Sequence, residues 1–423
     1  MNTFIWKGVI RDKSRSVLPV IVIVIGVFCV VFLDGFMGGV LNNMIDLTAK
    51  HQTGHLKVIT QAYHNNSDQQ PLDLALLEVD ALLEELNVAY PEVEWNPRIY
   101  SGGLLDIPDA EGETRAQGPV AATAYDLLSP NSNEAQRLNL KKALTMGHLI
   151  QQPNEILISQ DFADKFDVKP GDTVTFFGNT MYGSMSFANL RVAGMLRFGV
   201  GMLDKGAILL DIADARQIFD MEDAAGEILG FLPDNRYDFN QAESIKLAFN
   251  EKYAGDDDEY APVMLQLAEQ NGMDEMMAYV SLVSKMLVIL LVLALSIVLW
   301  NTGVLGSIRR YNEFGVRLAL GEEKKHIFRT LLMESLIIGI IGSVTGTFLG
   351  LCLTAYLQKY GIDYSSMMES VNMMVDPVMR ADITPRMFYI GFIPGILSML
   401  IGSALAGMAI FKRNTAILFK ELG

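Results

Sequence analysis

Four stretches of this chain carry no charged residue over a length that reaches across a lipid bilayer, and they leave few options for its fold. They are Ser16–Leu33, Met286–Ile308, Ser335–Gln358 and Met387–Phe411. About 20 apolar residues in a helix cover a hydrocarbon core of roughly 30 Å, and a helix pairs every backbone amide within its own segment. The pattern predicts an α-helical membrane protein with four transmembrane helices and a large insertion between the first and second. The first run is the shortest and Asp34 closes it. Gly35–Val40 carries the apolar character onward, so this helix is expected to continue past the bilayer. No small-residue cleavage site follows, so it is expected to stay as an anchor.

Lysine and arginine near the span ends set the orientation. Lys7, Arg11, Lys13 and Arg15 precede the first span. Arg309, Arg310, Arg317, Lys324, Lys325 and Arg329 lie between the second and third, and Lys412, Arg413 and Lys420 follow the fourth. The loop between spans 3 and 4 has Lys359, Arg380 and Arg386 against four acids. Both termini are therefore expected in the cytoplasm, and residues 43–277 outside it. The resulting division is a cytoplasmic N-terminus (1–15), a first span with its stalk (16–42), an extracytoplasmic α+β domain (43–277) and a second span (278–308). A cytoplasmic elbow (309–330), a third span (331–358), an outer loop (359–386), a fourth span (387–411) and a cytoplasmic C-terminus (412–423) complete it.

Charge follows the same partition. Residues 43–277 hold 38 Asp and Glu against 16 Lys and Arg, whereas the remainder holds 11 against 17. An acidic soluble domain argues against nucleic acid, whose phosphates need a basic surface. The two cysteines, Cys29 and Cys352, both fall in apolar runs, so residues 43–277 can hold neither a disulfide framework nor a cysteine zinc site.

Within 43–277, strands alternate with short helices. Thr53–Thr60 alternates like a strand, and Leu72–Leu86 reads as an amphipathic helix. Arg98–Ile107 and Ala116–Thr123 are strand candidates, and Asn133–Ala143 reads as helical. Glu155–Ile158 is a strand, with Ser159 capping a helix through Phe166. Lys169-Pro170-Gly171-Asp172 turns into the strand Thr173–Phe177. Leu190–Arg197 and Gly206–Leu210 are further strands, and Asp211 caps Ile212–Phe219. Glu227–Leu232 adds a strand and Phe239–Tyr253 a helix. The acidic run Lys252–Tyr260 is a solvated turn.

Small residues at four-residue spacing line the spans: Gly342, Gly346 and Gly350 in the third; Gly391, Gly395, Ser398, Gly402 and Ala406 in the fourth. Such stripes let helix backbones approach closely in lipid. They serve packing among spans 2–4, with a subunit interface as the alternative. Pro394 is expected to kink the fourth helix.

Chemistry of other kinds is sparse. No G-x-x-x-x-G-K-S/T sequence occurs, so nucleotide hydrolysis has to come from a partner. His51 and His55 have metal-ligand spacing on a helix, but TGHLKV reads better as a strand, which leaves an ordinary surface pair. Met367, Met368, Met373, Met374 and Met379 make an adaptable apolar surface rather than a Cu(I) site. Asp34 and Glu334 lie nearest to lipid, and their end positions suggest helix-end solvation rather than an intramembrane role.

The elbow carries the most specific pattern: Arg310, Glu313, Phe314, Gly315, Arg317, Ala319, Leu320 and Gly321, then Ile327 and Glu334. Phe314, Val316, Leu318 and Leu320 form an apolar element flanked by charge, and Gly321 ends it as a C-cap. An interfacial helix lying on the bilayer would show one long polar face, which this segment lacks. The order resembles the coupling segment of the MacB/LolC/LolE/FtsX permeases of ABC transporters. The succession EILIS, helix, PGD turn and strand likewise resembles the periplasmic core domain of the MacB group.

The resemblance implies an inner-membrane permease of a bacterium, Gram-negative by the nearest branch, working with a cytoplasmic ABC ATPase dimer. ATP and Mg2+ would sit on that ATPase, and this chain would bind no cofactor and no metal. A second permease, identical or a sister chain, would complete the complex. Coupling would run through Arg310, Glu313, Phe314, Gly315, Arg317, Leu320, Gly321 and Glu322, with Glu334 supporting the elbow. The lipoprotein-releasing branch is the nearest match, because Phe28, Phe32 and Phe36 share one face of the long first helix. With Met286 these would line a path for an acylated cargo, handed on to a periplasmic carrier. The alternatives are an exporter of peptides, antibiotics or lipids, and an FtsX-like mechanotransmitter acting on an outer partner. A membrane enzyme would need a polar constellation that the sequence does not offer.

Overall fold

A computed structural model describes residues 13–109, 111–199, 201–254, 258–309, 316–318, 320–363 and 378–412. The chain divides into two compact units, one drawn from Met1–Asn43, Met277–Ile362 and Met379–Gly423, the other from Met44–Met276 with Asp363–Val378.

Among the described residues, four helices, lying mostly in the first unit, are long and apolar enough to cross a membrane. Span 1 is the helix Lys13–Thr48, span 2 is Met273–Arg309 and span 3 is Lys324–Tyr360. Span 4 comprises Met387–Ile390 and Phe392–Lys412. The first three run well past the uncharged stretches, as expected for span 1. The distortion expected at Pro394 appears as a break at Gly391. Proline has no N–H to offer the carbonyl of Ile390, so the ladder is interrupted one turn earlier.

The glycine stripe of span 3 packs within the chain, but against span 1 rather than among spans 2–4. A Cβ on Gly342 would lie 2.6 Å from Ile23, one on Gly346 2.8 Å from the Val24 carbonyl and Val27, and one on Gly350 2.9 Å from Val31. The stripe of span 4 does pack among spans 2–4 as expected, Gly391 lying against Thr347 and Gly395 against Ser343 of span 3, and both also meet Val27 of span 1. Ile23, Val27, Val30 and Val31 are consequently buried with Ile338, Met387, Ile390 and Met399. Polar pairs reinforce the bundle: Ser335 donates to Ser403 at 2.6 Å, and the Ser296 and Ser398 hydroxyls meet at 2.9 Å. The most apolar stretch of span 2, by contrast, is not buried.

The second unit is α+β. Its strands are β1 (Leu56–Thr60), β2 (Leu76–Leu77), β3 (Glu94–Pro108), β4 (Thr114–Tyr125), β5 (Leu144–Gly147) and β6 (Glu155–Ser159). They continue with β7 (Thr173–Asn179), β8 (Met185–Leu196), β9 (Ala207–Asp211), β10 (Ala224–Ala225), β11 (Glu227–Phe231) and β12 (Pro262–Gln266). Ten of them join in the order β12-β1-β11-β3-β4-β9-β6-β8-β5, with β7 pairing β3 and β8. Pairing is antiparallel except for β4 with β9 and β6 with β8.

The long strand β3 serves two lobes. Glu94–Arg98 pairs with β11, and from Ile99 onward the same strand pairs with β4. One lobe buries Leu56, Val58, Trp95, Ile228 and Met264 under the helices Val79–Ala89 and Phe239–Lys252. The other buries Ile99, Leu105, Ile156, Val174, Val192, Ile208 and Leu210 with the helices Gln160–Phe166 and Ile212–Ile218.

Two helix starts lie where the caps predicted: Ser159 accepts from the Phe162 amide and Asp211 from Ala213. A third cap, not foreseen, is Asp238, which accepts from Asn240 and Gln241. Two expectations need correction. Leu72–Leu86 is not one helix: Leu72–Leu74 is a 3-10 turn, Leu76–Leu77 pairs with β10, and the helix begins at Val79 after a left-handed Glu78. Asn133–Ala143 is two short helices, Glu134–Arg137 and Leu140–Ala143, parted by a left-handed Asn139.

Candidate functional site

The elbow is described in part. Arg310, Glu313, Phe314 and Gly315 lie outside the described residues, as does Ala319. Val316–Leu318 is helical, and its end is closed by a pair of backbone bonds. Gly321 N–H reaches the Leu318 carbonyl at 3.1 Å, and Glu322 N–H reaches the Arg317 carbonyl at 3.1 Å. Gly321 has φ +90°, a region a side chain disfavours. That is a Schellman closure with glycine in the left-handed position, and it realises the C-cap expected there.

The closure leaves Leu320 82% exposed and Val316 open as well, with Arg317 and Leu318 half-buried. Exposed apolar side chains beside charge make an adhesive surface. Beyond the turn, the His326 ring faces Glu322 at 3.6 Å, and Ile327 is buried. Gly407 of span 4 leaves room for the Phe328 ring, so the start of span 3 is seated on span 4. Glu334 is half-buried two turns further on.

Span 1 has two working faces. While Ile23, Val27 and Val31 lock onto glycines, Phe28, Phe32 and Phe36 form a ladder. Their ring centroids are 6.1 Å apart at the first step and 5.9 Å at the second, both stacked. The i, i+4 spacing places them over one another along the helix. Met286 stands 54% exposed on span 2 and is not part of this stack.

At the other end of span 1 the structure corrects the expectation of helix-end solvation for Asp34. Asp34 is buried, and its carboxylate faces the Arg386 guanidinium at 3.7 Å. Asp382 accepts from Asn42 at 2.8 Å and from Gln358 at 3.1 Å, and its own amide donates to the Gly35 carbonyl at 3.0 Å. Gly35 and Gly39 have no side chains where Arg380–Asp382 crosses the helix. Sequence reasoning missed Asn42, Asp382 and Arg386. The signal available was the glycine pair in an otherwise bulky helix.

The histidines are not an ordinary surface pair. His55 is 1% exposed, accepts a bond from the Leu232 amide through Nδ1 at 2.9 Å, and packs on Phe231 and Tyr237. Burial, with the charges of Arg137 and Lys50, pushes it down to about 4. His51 lies in a five-residue π-turn, Ala49–Thr53, outside the strand. Among the described residues no group of three His, Cys, Asp or Glu side chains could hold a metal ion. Of the methionines singled out, Met379 is described, in a short strand; Met367, Met368, Met373 and Met374 are not.

A buried ionic cluster went unforeseen. Arg98, 0% exposed, donates to Glu134 at 2.6 Å, and Arg137 binds both Glu134 and Glu94, the latter at 2.6 Å. Arg98 also lies over the Tyr125 ring at 4.4 Å, and Arg137 over Phe231 at 3.9 Å.

Two family profiles match. The MacB-like periplasmic core domain matches residues 16–243, and the FtsX-like permease C-terminal domain matches residues 285–415. Among solved structures, the chain is similar to the periplasmic region of MacB from Actinobacillus actinomycetemcomitans. That similarity stands at 10% identity with a TM-score of 0.36, over 52% of this chain and 92% of that one. No curated protein matches. With the two profiles laid end to end over the soluble domain and the later spans, the chain belongs to the MacB/FtsX/LolC-type family of ABC transporter permeases.

Proposed function

We propose that this chain couples ATP hydrolysis on a separate cytoplasmic ATPase to the extraction of a lipophilic cargo, and that the cargo is an acylated protein released from the inner membrane. The family supplies the permease role, the ATPase partner and a dimeric arrangement. ATP and Mg2+ are bound by that partner, since this sequence has no phosphate loop. Both termini and the elbow lie on the ATPase side, and the acidic α+β domain lies across the membrane, as the lysine and arginine distribution supports.

The observation that carries the cargo assignment is the Phe28–Phe32–Phe36 ladder. It presents three stacked, half-buried rings on the face of span 1 that the glycine contacts leave free. A continuous uncharged aromatic strip suits an acyl chain and offers no polar group to a hydrophilic solute. Force enters at the elbow, where Leu320 and Val316 are exposed for a groove on the ATPase and Arg310, Glu313, Phe314, Gly315, Arg317 and Glu322 complete the contact. It leaves through the soluble domain.

The test is reconstitution with the ATPase in proteoliposomes containing diacylated and triacylated proteins. Retention of acylated protein, lost in the Phe28→Ala, Phe32→Ala, Phe36→Ala triple variant, is the expected result. Hydrolysis that never moves or retains acylated protein would remove the cargo assignment. Phe314→Asp is expected to abolish ATPase stimulation while leaving membrane insertion intact.

A further inference from the structure

Span 1 ends in a wide turn whose carbonyls are held by side chains far away in the sequence. After Thr48 the chain widens into the π-turn Ala49–Thr53, closed by the Gly54 N–H on the Ala49 carbonyl at 2.9 Å. Gly54 has φ +63°, and a Cβ there would run into the backbone near Leu56. The last carbonyls of any helix lack internal partners. Here two are taken by side chains from elsewhere in the domain. Arg98 Nη1 donates to the Lys50 carbonyl at 3.2 Å, and Gln270 Nε2 donates to the Thr53 carbonyl at 3.4 Å. The Thr53 hydroxyl stays local, donating to the Gly54 carbonyl at 3.0 Å.

Arg98 and Gln270 are well placed to sense the turn. Arg98 sits at the one point of β3 where the strand stops pairing with β11 and starts pairing with β4. It is wholly buried, and the Glu134–Arg137–Glu94 cluster fixes its other end. Its Nε has no partner, so the guanidinium has a donor to spare. Gln270 stands three residues before span 2 begins at Met273, and its Oε1 is likewise buried without a partner. Single-turn π pairing is rare in helices and is found mostly at functional sites.

We propose that the turn Ala49–Thr53, held by Arg98 and Gln270, is a conformational joint that exchanges its wide pairing for α-helical pairing during the nucleotide cycle. Arg98 is the positioning residue: it holds the Lys50 carbonyl in one state and lets it go in the other. The proposal rests on ATPase coupling and is independent of which cargo is moved.

The test uses the full-length chain with its ATPase in lipid nanodiscs. Hydrogen exchange over residues 49–55 is compared between nucleotide-free and ATP-trapped complexes, alongside basal and stimulated hydrolysis. The wild-type complex is expected to show a several-fold change in exchange at these amides on trapping. Arg98→Lys keeps a cation for Glu134 but loses the fork that also reaches Lys50. It is expected to keep basal hydrolysis, lose stimulation and show the same exchange in both states. A merely structural Arg98 would lower the melting temperature and leave the stimulation ratio untouched, which overturns the proposal. Gln270→Met removes the bond to Thr53 without touching buried charge and covers the case in which Arg98→Lys fails to fold. Unaltered exchange and stimulation in that variant also overturn it. A complex that releases no acylated protein but passes these tests removes the cargo assignment and leaves the joint standing.

Discussion

His55 concentrates more physical consequence than its sequence context suggests. Its ring is sealed beneath Phe231 and Tyr237, and its Nδ1 must stay unprotonated to accept from the Leu232 amide. In the unfolded chain the imidazole titrates near 6.5, and in the folded domain near 4. Above pH 6.5 both states are neutral and the full stability is present. As pH falls from 6.5 toward 4, the unfolded state gains a proton that the folded state refuses, so stability declines through that window. A gap of this size corresponds to a loss of about 3 kcal/mol at most. Trp95, buried in the same lobe, gives a fluorescence readout of urea unfolding. The wild type is expected to lose stability between pH 7 and pH 5, and His55→Gln to show a flatter profile. Equal slopes in the two proteins would remove His55 as the cause. None of this was legible beforehand, because a histidine in an alternating segment has the same signature whether its face is covered or not. The ion pairs of Arg98 with Glu134 and of Asp34 with Arg386 were hidden for a related reason: each partner lies on a different element, distant in the sequence.

At the scale of elements, what could be foretold was what local chemistry decides. The spans follow from uncharged length. The helix starts at Ser159 and Asp211 follow from caps, and the elbow's end follows from Gly321. What failed was decided by tertiary pairing. The Leu72–Leu86 segment has good helical spacing, yet Leu76–Leu77 is claimed by β10, and β12 is recognisable as a strand only once β1 is beside it. The small-residue stripes were recognised correctly as packing surfaces; span 4 meets span 3 as expected, but the partner of span 3's stripe is span 1, since glycine spacing says that a helix comes close and not which one. Gly38 and Gly39 of span 1 separate the two meanings of a helical glycine. Around Gly38 a Cβ would meet nothing within 4 Å, whereas at Gly39 it would strike the backbone of Arg380 and Ala381. Gly38→Ala is therefore expected to stabilise by about 0.5–1 kcal/mol through helix propensity. Gly39→Ala is expected to cost about 1–3 kcal/mol by pushing the crossing segment away. Melting temperatures of the two variants in one detergent decide it, and a Gly39→Ala protein as stable as Gly38→Ala would mean that the crossing is not a tight contact.

For the whole molecule, the governing property is the separation of charge from apolarity along the chain. An acidic domain of more than half the sequence adjoins spans whose basic flanks favour one side of the membrane, and by the positive-inside bias the elbow is expected on the cytoplasmic side and the acidic domain on the other. The orientation matters mechanically, because an elbow facing away from the ATPase could receive no force. It can be read by placing single cysteines where the fold leaves them open. Met185, 81% exposed at the start of β8, serves for the soluble domain, and Leu320 serves for the elbow. Cys352 is exposed and Cys29 half-buried, so both are first replaced by serine. In intact spheroplasts a membrane-impermeant maleimide is expected to label Met185→Cys readily and Leu320→Cys only after permeabilisation. If Leu320→Cys were labelled in sealed cells, or Met185→Cys only in broken ones, the elbow would stand on the wrong side for an ATPase, and transmission of force through it would have to be abandoned.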